Sequence, residues 1–168
     1  MGRLVAEWGV KYQLWVPKEP VAKSTMKPPN SPRAYWIVQN DPKYKRLKET
    51  WAYQKFVAEC AVGNIPDFCK DDPIKLSAII KKSKHKTGDR KNIIAAIEDG
   101  LQFGGFIPDD RQVTTTGEIH MIFGAGENAG VLVELEIDPY AEDFEWLTGW
   151  LKTKKKAGEY RDRKGIAC

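Results

Sequence analysis

Lys84-His85-Lys86-Thr87-Gly88-Asp89-Arg90-Lys91-Asn92-Ile93-Ile94-Ala95-Ala96-Ile97-Glu98-Asp99-Gly100-Leu101-Gln102-Phe103-Gly104-Gly105-Phe106-Ile107-Pro108-Asp109-Asp110-Arg111-Gln112-Val113 is the stretch from which the fold follows. Ile93, Ile94, Ile97 and Leu101 recur at three- to four-residue spacing, so the stretch predicts an amphipathic helix. Asn92, Ala95, Asp99 and Gln102 fall on another face of that helix. Glu98 falls on the Ile94 side, away from Asn92 and Asp99. Gly104-Gly105 stops the helix, and Pro108-Asp109-Asp110 predicts a turn feeding a strand. A basic loop, with Lys84 and Lys86, leads into Asp89. Acidic groups therefore stand before the helix, on it, and after its return. Carboxylates that converge could hold a hard divalent cation through oxygen, and the Lys and Arg around them suit a polyanion.

Upstream, Ile74 to Lys82 predicts a strand. Ile74, Leu76, Ala78 and Ile80 lie on one face, with Lys75, Ser77, Ile79 and Lys81 on the other. It delivers Asp89 at a strand end, a rigid place for a ligand. Before it, Asp41-Pro42 reads as an N-cap with proline at the first helical position. The helix that follows is expected to reach about Val62, with Tyr44, Leu47, Trp51, Ala58 and Ala61 as its buried stripe. Tyr35 to Gln39 reads as a short strand. Trp8 to Pro17 alternates as a strand should. Lys18 to Arg33 is too rich in proline to be helix or central strand, and reads as an ordered loop or a mobile arm. Downstream, Val113 to Phe123 and Val131 to Ile137 are expected to form a hairpin around Gly124–Gly130. Ala141 to Thr153 predicts a short helix that could cap the sheet or build a dimer contact. A charged tail follows it.

The length of 168 residues predicts one domain, and the apolar share of 42% and charged share of 30% are those of a globular chain. No apolar run approaches about 18 residues, so no membrane span is expected, and no signal-peptide pattern opens the sequence. Cys60, Cys69 and Cys168 have no metal-ligand spacing and read as reduced thiols of a cytosolic protein. The net charge is only +4, but it is unevenly spread. Lys75 to Lys91 carries seven Lys/Arg and one Asp, net +6; Lys152 to Cys168 is net +5; Glu134 to Glu145 holds six acids and no base. Such basic runs supply salt-dependent affinity for nucleic acid, although a solvated basic surface is also what charge runs usually are.

Gly88-Asp89-Arg90-Lys91-Asn92 through Asp99-Gly100-Leu101, then Gly105 and Asp109-Asp110-Arg111-Gln112-Val113, resembles the RusA family of Holliday junction resolvases. The family pattern is Asp-x-Asp-Asn-x-x-Lys, three residues, Asp-x-Leu, then Gly and Asp-Asp-x-Gln-Val. Asp89, Asn92, Asp99, Leu101, Gly105, Asp109, Asp110, Gln112 and Val113 match it. Lys91 stands at the family's second acidic position, and Ala95 stands at its lysine.

The resemblance implies an α/β (α+β) fold in two layers: a mixed sheet with two long helices packed on it, assembled as a homodimer. The RusA-like domain would span residues 1–139, with a C-terminal helix and basic tail over 140–168. It implies a Mg²⁺-dependent (or Mn²⁺-dependent) endonuclease resolving four-way junctions by phosphodiester hydrolysis, in DNA recombination and repair. Asp89 and Asp110 would hold the metal, with Asn92 and Asp99 supporting them; Asp109 could be a further ligand, or could only turn an Asx-type bend. Lys91 could stand in for the missing amine at Ala95 and stabilise the charged transition state. Phosphate contacts are expected from Lys23, Lys27, Arg33, Lys82, Lys84, Lys86, Arg90 and Arg111. The expected partners are branched DNA and a second copy, with no membrane, in the cytoplasm of a bacterium or phage-infected host. The alternative is a RusA-like protein that binds branched DNA without cutting it.

Overall fold

The computed structural model describes residues 6–7, 9–61, 66, 68–70, 72–84 and 89–138. Four strands form one mixed sheet in the order β1-β4-β2-β3, with β1 at Tyr12–Val16, β2 at Ile74–Lys81, β3 at Val113–Ile122 and β4 at Gly130–Ile137. Three helices complete the chain's regular structure among the described residues: α1 at Pro32–Val38, α2 at Pro42–Cys60 and α3 at Arg90–Phe103. The expected α/β class with a mixed sheet and two long helices is what forms. The expected tail over residues 140–168 lies outside the described residues.

β2 is the sheet's organising strand. Ile74, Leu76, Ala78 and Ile80 are all buried on the helix side. With Val131, Val133, Leu135 and Ile137 of β4 and Leu14 and Val16 of β1, they form one apolar surface. Ile93, Ala96, Ile97 and Leu101 of α3 and Tyr53 and Val57 of α2 close over that surface. At about 25 cal/mol per Å² of apolar area, this burial is the main favourable contribution to the fold.

The expected hairpin of β3 and β4 does not form. β2 lies between them, parallel to β3 and antiparallel to β4. The glycine-rich connection crosses the end of β2, where Lys82 N–H donates to Ile122 C=O and Ala125 N–H donates to Lys82 C=O. Burial decides the order: a strand apolar at every second residue on the core face is worth most at the sheet's centre, and turn chemistry alone does not make its flanks neighbours. β3 is left as an edge strand, with register shifts between Ile74 and Lys75 and between Leu76 and Ala78 of its partner. Irregularities of this kind are a common way of blunting an exposed edge.

The segment expected as a strand over Tyr35–Gln39 is helical instead. Ser31 Oγ accepts the Ala34 N–H and Pro32 occupies the first turn, so a Ser-Pro start overrides the local β-propensity. The proline-rich Lys18–Arg33 segment is ordered where it meets the helices: Lys23 N–H donates to Asn92 C=O, and Thr50 Oγ1 bonds both Ala22 C=O and Ser24 N–H. α2 and α3 touch at Gly100. A Cβ built there would lie 2.8 Å from Val57 Cβ and 3.0 Å from the Gln54 carbonyl oxygen. Cys60 is a free thiol, but Cys69 is disulfide-bonded, so the expectation of three reduced thiols does not hold.

Candidate functional site along the third helix

Asp89 is the N-cap of α3, and its carboxylate accepts the Lys91 N–H at 2.9 Å. From there α3 runs back across the sheet for 14 residues, a rise of about 21 Å. Gln102, in its last turn, accepts the Asp110 N–H through its side-chain oxygen at 3.2 Å. Asp110 then opens a single 3-10 turn that enters β3. Because β2 and β3 are parallel, the end of β2 that leads to Asp89 and the start of β3 lie at opposite ends of the sheet.

The two acids expected to share a cation therefore sit at opposite ends of one helix, and a single chain does not bring them together. Among the described residues, no group of three or more His, Cys, Asp or Glu side chains is placed to hold a metal ion. Carboxylate donors suit Mg²⁺ in chemistry, but within one chain their placement does not.

The other motif residues have local work. Asp109 and Gln112 form a reciprocal cap. The Asp109 carboxylate accepts the Arg111 N–H at 2.9 Å, and the Gln112 side-chain oxygen accepts the Asp109 N–H at 3.1 Å. The bond from the Arg111 amide holds the Asp109 carboxyl below its ordinary pKa. Gln112 is itself buried, and its Nε2 donates to the carbonyls of Cys69 and Asp72. Asp99 clasps two elements to α3, accepting Gln54 Nε2 at 2.9 Å and pairing with Lys23 Nζ at 2.7 Å. Asn92 contributes its backbone carbonyl to the Lys23 amide.

Between α3 and β3 lies a groove of about 460 Å³, lined by Arg90, Lys91, Ile94, Ala95 and Glu98 of the helix and Thr116, Gly117 and Ile119 of the strand. Its two ends differ in sign. Arg90 and Lys91 stand at the end near Asp89. Glu98 stands at the other, close enough to Asp110 and Asp99 to feel their charge. Burial, then Asp110, then Asp99 push the Glu98 carboxyl up to about 7. Glu98 was expected to face away from the site; it lines the groove. The signal was in the sequence, since Lys91, Ala95 and Glu98 stand at i, i+4 and i+7, on one face of a helix.

The cations expected to meet phosphate divide into two sets. Lys82 is buried, and its ammonium bonds the Pro20 carbonyl at 2.9 Å and pairs with Glu19 at 3.1 Å. Lys82 is not spared for a polyanion, because a buried ammonium needs its internal partner. Lys23 is exposed, and an exposed pair such as the one it makes with Asp99 is weak. Lys27, Arg33, Lys84, Arg90, Lys91 and Arg111 are exposed, with Arg111 Nε 3.6 Å from Asp109. Lys86 lies outside the described residues. Among those residues no helix is long and apolar enough to cross a membrane. No protein-family model matches the chain, and no curated protein matches it.

Proposed function

We propose that the protein is a Mg²⁺-dependent, structure-selective DNA endonuclease that resolves four-way junctions by phosphodiester hydrolysis, with each site shared between two copies of the chain. The observation that carries this reading is the groove along α3, with Arg90 and Lys91 at the end next to Asp89 and Glu98 at the end near Asp110. A two-fold axis across such a groove sets the cationic end of one copy against the acidic end of the other. The same rotation carries Asp110 of one copy toward Asp89 of its mate. β3, the sheet edge beside the groove, leaves room for that approach.

The motif's resemblance to the RusA family supplies the substrate class. Asp89 and Asp110 would hold the cation, which when bound lowers the pKa of a water and polarises a phosphoryl oxygen. Lys91, on the groove wall, would present an ammonium to the negative charge on the non-bridging phosphoryl oxygens in the transition state. The second reading, a protein that binds junctions without cutting, is favoured by Lys91 and Ala95 themselves. Both line the groove where the family pattern has an acid and a lysine.

Mixing two inactive variants tests the reading. Asp89→Asn and Asp110→Asn should each abolish cleavage of a labelled four-way junction in Mg²⁺. In a shared site, a mixed dimer of the two keeps one intact pair of acids, so co-refolded variants should regain nicking of one strand. If the mixture stays as inactive as its components, the shared site is wrong. Wild-type protein that binds junctions but cuts none at any Mg²⁺ concentration establishes the binder instead.

A further inference from the structure

We infer that α1 and the exposed side of α2 form a platform for unpaired nucleotides, stacking bases on Trp36 and Trp51 while Lys48 and Lys55 hold phosphates. This rests on the DNA-binding reading above and names a second contact surface for the same substrate. α1 buries none of its residues: Tyr35 is 46%, Trp36 69% and Ile37 74% exposed. An apolar patch of that kind on a charged chain marks a binding surface more often than an accident.

The patch continues onto α2. Tyr35 packs edge-on against Tyr44 with ring centroids 5.8 Å apart, and the Lys48 ammonium lies 5.1 Å from the Tyr44 ring centre. Tyr44, Lys48, Trp51 and Lys55 are spaced four, three and four residues apart, which places them along one side of the helix. Trp51 is 43% exposed there. Tyr44 is itself buried, so it anchors α1, while Trp51 is the exposed ring on this side of α2, flanked by the exposed Lys48 and Lys55. An exposed ring between ammonium groups is an arrangement that binds single strands without reading sequence.

Charge selects this occupant over a second copy. Residues 31–48 carry Arg33, Lys43, Lys45, Arg46 and Lys48 against Asp41 alone, net +4. The Asp41 carboxylate is taken up in capping α2, where it accepts the Lys43 N–H. A two-fold copy docked here would set like charge against like charge. A polyanion with π-faces meets both features of the patch. A branched junction offers one where its strands part.

The test compares a 20-nucleotide oligo-dT, a four-way junction and a duplex as fluorescent probes. Trp36→Ala with Trp51→Ala should weaken binding of oligo-dT and of the junction about tenfold or more, leaving the duplex nearly unchanged. Trp36→Tyr with Trp51→Tyr keeps a stacking face and should restore most of that loss. Equal weakening on all three probes, or none on any, overturns the platform while leaving the DNA-binding reading intact. Wild-type protein that binds none of the probes overturns both. Binding to phosphatidylserine vesicles that depends on Trp36, in place of binding to oligo-dT, assigns the patch to a membrane surface and also overturns the inference.

Discussion

The two ends of α3 carry the same kind of residue in different circumstances. At the start, Asp89 is exposed, caps the helix and stands among cations. At the far end, Glu98, Asp99 and Asp110 are only part-exposed, and burial, then the charges of Asp110 and Asp99, raise the Glu98 pKa. The first end is open to solvent; the crowded end gathers acids and is held by internal bonds. Residues close together in a motif can thus stand far apart in the fold, here at the two ends of a 14-residue helix. The contrast also separates residues that hold the helix in place from residues free to act.

The largest expected effect lies at the crowded end. Gln112 links the Asp109 cap to the carbonyls of Cys69 and Asp72 from a buried position. Gln112→Ala breaks all three bonds, and we expect a loss of about 2–3 kcal/mol, read as a lowered urea midpoint with an unchanged slope. A loss under about 0.5 kcal/mol would show that the cap is incidental. At the open end the effect should be smaller and chemically divisible. Asp89→Ala removes an N-cap and should cost about 1 kcal/mol, whereas Asp89→Asn keeps an acceptor and should cost little. If Asp89→Asn destabilises as much as Asp89→Ala, the carboxylate's charge is structural and the contrast between the ends fails.

How much of this was legible in the sequence differs by element. α2 and α3 and the inward faces of β2 and β4 are readable, because Ile93, Ile97 and Leu101 or Leu76, Ala78 and Ile80 carry their period in the residues themselves. Within α2 the stripe is off at Trp51, expected buried but 43% exposed, while Tyr53 is buried in its place. The order of the strands is not readable, because Gly124–Gly130 looks like a hairpin turn whether or not another strand inserts. α1 was misread through Tyr35, Trp36 and Ile37, whose β-propensity lost to the Ser31-Pro32 start. At the site, residue identities were legible and distances were not. Nothing local states that a 14-residue helix between parallel strands must separate Asp89 from Asp110. The burial of Lys82 is not legible for a related reason: its partner, Glu19, is more than 60 residues away along the chain.

The finest test of the contrast is the pH dependence of Glu98. Its folded pKa is raised to about 7 by burial and by Asp110 and Asp99. A carboxyl raised in this way favours the folded state below its unfolded value and loses that contribution as pH rises through its folded value. The wild-type melting temperature should therefore carry a downward contribution from Glu98 between about pH 4.5 and about pH 7. Glu98→Gln is neutral throughout and should remove that slope. The variant should melt close to the wild type at pH 4.5 and above it at pH 8. Asp110→Asn should weaken the same slope without abolishing it, since burial is the larger cause. Parallel melting profiles for wild type and Glu98→Gln across this window would mean that neither burial nor the neighbouring acids hold a proton on Glu98, and the contrast between the two ends would fail.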